Sequence, residues 1–104
     1  MATTYPFSLV TLEGKVFEGD VESIVAPGET GSFGVLASHA QMVSALEAGV
    51  LEVQAENGRS FYAVSGGVCE VRQNHALVLC DKAIKADSAD EAKAAFKTAF
   101  AGLK

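Results

Sequence analysis

A chain of 104 residues, 49% of them hydrophobic and 20% charged, has the composition of one folded domain and not of a disordered segment. Its formal charge of −5 excludes the basic stripe of a nucleic-acid binder and suits anionic lipid heads poorly. No apolar run approaches the ~20 residues that a membrane-spanning helix needs, and the opening MATTYPFSLV lacks the basic-then-apolar pattern of a secretory leader. Direct membrane insertion is therefore not expected, and any membrane association would come through a partner.

In chain order, the first two-thirds reads as β. YPFSLVTLEG predicts a strand ending in a turn at Glu13-Gly14. KVFEGDVESIVAPGE follows, with Val16, Phe17, Val21, Ile24 and Val25 apolar and Gly19-Asp20 expected to interrupt it. Next comes PGETGSFGVLASHAQMVSAL, in which Gly28, Gly31 and Gly34 recur every three residues ahead of His39. SHAQMVSALEAG also carries helix signals, with Ser38 as cap, Gln41 three later and Gly49 as stop. Further on, Val50 to Ala55 and Ser60 to Ser65 flank Asn57-Gly58, a dipeptide whose positive φ angles suit a two-residue hairpin loop. VCEVRQNHALVLCD repeats the scheme around Gln73-Asn74-His75. Short strands at regular spacing predict an antiparallel sandwich or barrel.

The pattern then changes. DSADEAKAAFKTAFAGLK is alanine- and lysine-rich, and Ser88 followed by Glu91 makes a capping box. Ala92, Phe96, Ala99, Phe100 and Leu103 recur at helical spacing and form one apolar face, which needs a surface to cover it. A short helix is expected over this segment. Residues 1–86 are read as the β domain and 87–104 as the helical remainder.

The residues carrying possible chemistry are few. GETGSFG lacks the lysine of a phosphate-binding loop and does not sit in a βαβ unit, so its glycines are expected to form tight turns. Ser38 and His39 are adjacent with no GxSxG elbow. Cys69, His75 and Cys80 leave a closed zinc site one ligand short, and the two cysteines read as buried hydrophobes that could approach each other across a hairpin. The carboxylates fall mainly at polar strand positions and turns, with no pair resembling an acid and its ionised partner. No catalytic residue, metal site or cofactor is expected.

The ordered series F.G.VESI..PG..G.FGVL..HA..VSALE.GVLEV, F.AVSGGV.EV...HALVLCD.AI and D.DEA resembles the epsilon subunit of the F-type ATP synthase, from Tyr5 to about Ala94. The resemblance rests on the Phe17 to Asp20 turn, the Gly28 to His39 loop, the Glu47 to Val53 segment, Ser65-Gly66-Gly67 and the Leu79 to Ile84 run. It implies a mainly β fold, a flattened antiparallel ten-stranded β-sandwich followed by a short C-terminal α-helix. It also implies that Gln41 to Glu47 is strand despite its helix propensity.

Functionally, the resemblance implies a non-catalytic rotor subunit of the central stalk, monomeric when isolated and without a cofactor. Its partners would be the gamma subunit and the c-ring, at the cytoplasmic face of a bacterial inner membrane. It places contacts with those partners on the loop, at Glu29, Gly31, Ser32, Phe33 and His39. Two departures stand out. Ala37-Ser38 precede His39 where the family carries Pro-Gly, and Gln41 follows where it carries Pro. The chain also stops at Lys104, inside or just after the first helix of the family's usual hairpin; a natural short form and an engineered fragment both fit, and Gly102-Leu103-Lys104 reads as an acceptable natural helix end. Only Asp90, Lys93 and Ala94 remain of the family's ATP motif, so weak or no ATP binding is expected, without a hairpin brake on hydrolysis. The alternatives are a small-ligand-binding β module using the Gly28–Gly34 loop, and a hydrolase built on Ser38 or His39.

Overall fold

Largely alternating apolar and polar residues form eight strands followed by one helix among the described residues. The computed structural model describes residues 3–37, 40–73 and 75–100, with side chains described as far as Ala95. The strands are β1 (Tyr5–Thr11), β2 (Gly14–Val21), β3 (Ser23–Gly28), β4 (Gly31–Leu36), β5 (Met42–Ala55), β6 (Gly58–Arg72), β7 (His75–Cys80) and β8 (Ala83–Ala86), followed by α1 (Ala89–Phe100). The sheet order is β2-β1-β7-β6-β5-β3-β4, with β8 paired to β6. The β1–β7 pairing is parallel and the others are antiparallel.

Three hairpins share one closure. Thr11 pairs with Gly14, Gly28 with Gly31 and Ala55 with Gly58, each pair enclosing a two-residue tip. The closing glycines have φ of 128°, 125° and 142°, a region that L side chains rarely adopt. The first tip is therefore Leu12-Glu13, not Glu13-Gly14. In the third, Asn57-Gly58 does mark a hairpin, but the tip is Glu56-Asn57 and Gly58 already belongs to β6. Gly19-Asp20 makes no turn either. β2 runs through both, and the break comes at Glu22, whose N–H donates to the Gln54 carbonyl at 2.7 Å.

β5 and β6 are long enough to serve two layers. Their register skips Glu47 and Gly66, and Gly66 and Gly67 have φ of 98° and 146°. A Cβ on Gly67 would collide with the Leu79 carbonyl oxygen, so close packing at the bend requires glycine. On one side of the bend, Met42–Leu46 and Gly67–Val71 continue to β7, β1 and β2; on the other, Ala48–Ala55 and Gly58–Ser65 continue to β3, β4 and β8. The result is an open sheet doubled over as a sandwich. Eight strands replace the expected ten, because β5 and β6 each bend and run on where a ten-stranded description divides them.

The core lies between the layers. Phe7, Leu9, Val21, Ile24, Val35, Leu51, Val53, Tyr62, Val64 and Val78 are at most 2% exposed. Burying a side chain of this size stabilises the fold by about 1.5–3 kcal/mol before entropy is counted. The Phe17 ring, 5.9 Å from Phe7 and 6.5 Å from Tyr62, joins the layers. Burial raises the Tyr62 phenol above its ordinary pKa. On the far side of the β6 half-sheet, Ala63 and Ala86 are buried outside this core. There α1 packs on β5, β6 and β8, with Ala92 fully buried. Ser88 starts the helix as expected, its Oγ accepting from the Glu91 N–H at 3.1 Å. Of the expected apolar helix face, Ala92 is seen buried, while the side chains of Phe96, Ala99, Phe100 and Leu103 lie outside the described residues.

Candidate functional site

The glycine-rich stretch forms the β3–β4 hairpin at one end of the sheet order. Pro27 pairs with Ser32 and Gly28 with Gly31, leaving Glu29 and Thr30 at the tip. Glycine at 28 serves the hairpin itself, because a Cβ there would stand 2.8 Å from the Gly31 carbonyl oxygen and 2.9 Å from the Phe33 ring. Gly34 differs: a Cβ there would meet nothing closer than the Ile24 carbonyl at 3.8 Å. The expectation of tight turns thus holds for Gly28 and Gly31.

Side-chain direction along β4 alternates. Glu29, Gly31 and Ser32 are exposed, Phe33 packs partly buried against the core, and Val35 is buried. Tyr5 on β1 secures the hairpin from beneath, its hydroxyl donating to the Val35 carbonyl at 2.6 Å. Burial holds that phenol protonated far above its ordinary range. The hairpin therefore presents Glu29, Gly31 and Ser32 outward from a fixed base, as a contact loop needs. His39, the fifth expected contact, and Ser38, named for a hydrolase, lie outside the described residues. Gln41 precedes β5, and Met42 to Glu47 are strand, so the helix signals there lose to an alternating burial pattern.

Asp90, Lys93 and Ala94 are all exposed on α1. The hairpin lies beyond β3 at the other end of that layer from β8, so among the described residues the two predicted sets do not meet. The cysteines belong to the core. Cys69 pairs with Val78, which places Cys80 diagonally across on the same face, and both thiols are free. Burial pushes Cys69 up to about 11, and burial with the neighbouring Asp81 raises Cys80. His75 is exposed, with the opposite strand parity to Cys80. Among the described residues, open surface grooves lie beside the Gly66 bend, at Leu36 with Glu22, and at Met42 with Arg72.

A second surface was missed by sequence reasoning. On the outer face of the β2-β1-β7 layer, Ala45, Val68, Leu79 and Val10 are register partners in a row across β5, β6, β7 and β1. The next row is mixed, with Val43, Glu70, Leu77 and Ser8 as register partners. Val43, Val68 and Leu79 are 70%, 39% and 47% exposed, so the first row makes an apolar strip, bordered by Glu70, where a solvated face would be polar. A signal was present: HALVLC is apolar at both strand parities, whereas a half-solvated strand alternates.

Residues 4–86 match the family described as ATP synthase, Delta/Epsilon chain, beta-sandwich domain. The ATP synthase epsilon chain of Helicobacter acinonychis (strain Sheeba) is 40% identical over 89 residues, covering 82% of this chain and 72% of that one. The ATP synthase epsilon chain of Desulforamulus reducens is 44% identical over 95 residues, covering 90% and 71%. Among solved structures, a chain of the Euglena gracilis mitochondrial ATP synthase (OSCP/F1/c-ring in rotational state 1) superposes with a TM-score of 0.76 at 26% identity, over 82% of this chain. This chain spans 55% of the length of that one. A chain of the Tetrahymena thermophila mitochondrial ATP synthase central stalk/c-ring has a TM-score of 0.68 at 14% identity, over 80% of this chain and 67% of that one, a likeness of fold alone. Sandwich, bent hairpin and relatives agree: the chain belongs to the ATP synthase delta/epsilon chain family, among its epsilon chains.

Proposed function

We propose that the chain is a non-catalytic subunit of the ATP synthase central stalk that docks on the gamma subunit and the c-ring and couples ion-driven rotation to ATP synthesis. The observation that carries this reading is a surface with two exposed regions of different chemistry. The apolar row of Val68 and Leu79 suits a lasting, dry interface with gamma. The exposed hairpin with Glu29, Gly31 and Ser32 suits the polar loops of a c-ring, with Phe33 anchoring it to the core. His39 is assigned to the same contact from its place in the sequence. Family membership and the likeness to a chain of an ATP synthase OSCP/F1/c-ring assembly support the reading.

No helix among the described residues is long and apolar enough to cross a membrane. We place the chain peripherally, at the cytoplasmic face of a bacterial inner membrane, held there by its partners. Asp90, Lys93 and Ala94 are a remnant motif with weak or no ATP binding. A pull-down with recombinant gamma tests the reading: capture at micromolar concentration is expected, and no complex would remove it.

A further inference from the structure

The edge strands of the sheet are guarded unequally. β2 carries Lys15, Glu18 and Asp20, and its pairing with β1 is broken between Leu9 and Val10. β8 is four residues long, bears Lys85 and lies against α1. β4, GSFGVL, has no charge and no proline, and its register with β3 is unbroken. Charges, bulges and short length are the means by which edges avoid pairing with other chains, and β4 has none of the three.

Pro27 fixes which groups of β4 point outward. It has no N–H, so the Pro27–Ser32 pair is not one that exchanges hydrogen bonds. Such pairs alternate along an antiparallel ladder, so Ile24–Val35 and Ala26–Phe33 exchange bonds while Val25–Gly34 and Ser23–Leu36 do not. The N–H and C=O groups of Ser32, Gly34 and Leu36 are therefore directed away from β3. Among the described residues, no strand pairs with β4 on that side. One end of this edge is acidic at the tip, through Glu29, and near the other end Glu22 lies one strand in, beside Ser23, the partner of Leu36. Glu22 and Leu36 also line one groove, together with Thr3, Ser23 and Ala37. No Lys or Arg occurs from Glu22 to Leu36.

We propose that β4 is an acceptor edge, and that a partner segment docks on it as an added antiparallel strand with a basic residue at each end. Backbone bonds at Ser32, Gly34 and Leu36 supply the pairing, and the carboxylates of Glu29 and Glu22 select the flanks. A second copy of this chain is disfavoured as occupant. Antiparallel self-pairing about Gly34 would bring Glu29 of each copy towards Glu22 of the other. This inference rests on the docking reading above only in supposing that the hairpin faces a partner.

The test uses the 104-residue chain and a blocked peptide of alternating Thr and Val with Lys at both ends. Addition of the peptide should protect the Ser32, Gly34 and Leu36 amides from hydrogen exchange. Gly34→Pro removes one outward donor while leaving the β3 bonds in place, and should weaken binding roughly tenfold. A peptide N-methylated at its pairing amides should not bind, a control that does not depend on any variant folding. Exchanging Glu22 and Glu29 for Lys should reverse the preference toward a peptide flanked by Glu. Equal binding by the methylated peptide or by Gly34→Pro would overturn the proposal. So would protection confined to other strands, or a dimer in sedimentation that already protects β4. Capture of gamma and c-ring undiminished by Gly34→Pro would remove the added strand and leave the stalk reading standing. Peptide pairing without any capture of those proteins would do the reverse.

Discussion

The Tyr5 hydroxyl lies 2.6 Å from the Val35 carbonyl oxygen and ties the first strand to the edge strand across 30 positions of sequence. The bond crosses the two layers of the sandwich beneath the hairpin that carries Glu29 and Ser32. Tyr5→Phe should keep the ring's packing and lose the bond, costing about 1 kcal/mol. Urea unfolding should show a lower midpoint with an unchanged slope.

Alkaline pH should weaken the fold. The Cys69 thiol is raised from 9.0 to about 11, so the native state holds its proton where the unfolded chain releases it. Stability is then retained below pH 9 and falls as pH rises from there through 11, with Tyr5, Tyr62 and Cys80 shifted in the same direction. Urea midpoints measured across that window should decline, and Cys69→Val should remove part of the decline.

Two glycines should respond oppositely to alanine. At Gly67, with φ 146° and the Leu79 carbonyl in the way, Gly67→Ala should cost at least about 3 kcal/mol or prevent folding. At Gly34 there is room for a methyl group, so Gly34→Ala should change stability by no more than about 0.5 kcal/mol. Chemical denaturation of both variants measures the contrast.

The helix should loosen when its cap is removed. Ser88→Ala deletes the 3.1 Å bond to the Glu91 N–H and should cost about 1 kcal/mol. The loss should appear as faster amide exchange in α1, with the core strands less affected.

Much of this was legible in the sequence. Alternation located the strands, and Ser88 with Glu91 located the helix start. The order of motifs identified the family and read Gln41 to Glu47 as strand against its helix propensity, and the strand begins at Met42. Strand number was not legible, because a bend such as Glu47 against Gly66 depends on register between distant segments. Turn position slipped by one at Asn57-Gly58, since the dipeptide marks a hairpin without saying which residues pair. Gly19 read as a break, yet β2 continues through it with the Phe17 ring 3.6 Å from where its Cβ would be. The outward groups of β4 depend on the phase that Pro27 sets, which is visible only once Ser32 is known to face it. The apolar row of Val10, Val68 and Leu79 needs three pairings at once, so only the loss of alternation in HALVLC hinted at it.

The stalk reading is tested most directly by ATP-driven proton pumping in membrane vesicles whose synthase is assembled with this chain. A Ser32→Lys variant places a long cation on the exposed hairpin without touching Phe33 or Val35. The account predicts an isolated fold unchanged by circular dichroism, ATP hydrolysis retained, and pumping clearly reduced. Pumping equal to that of the unaltered chain, with the variant present in the complex, would contradict it.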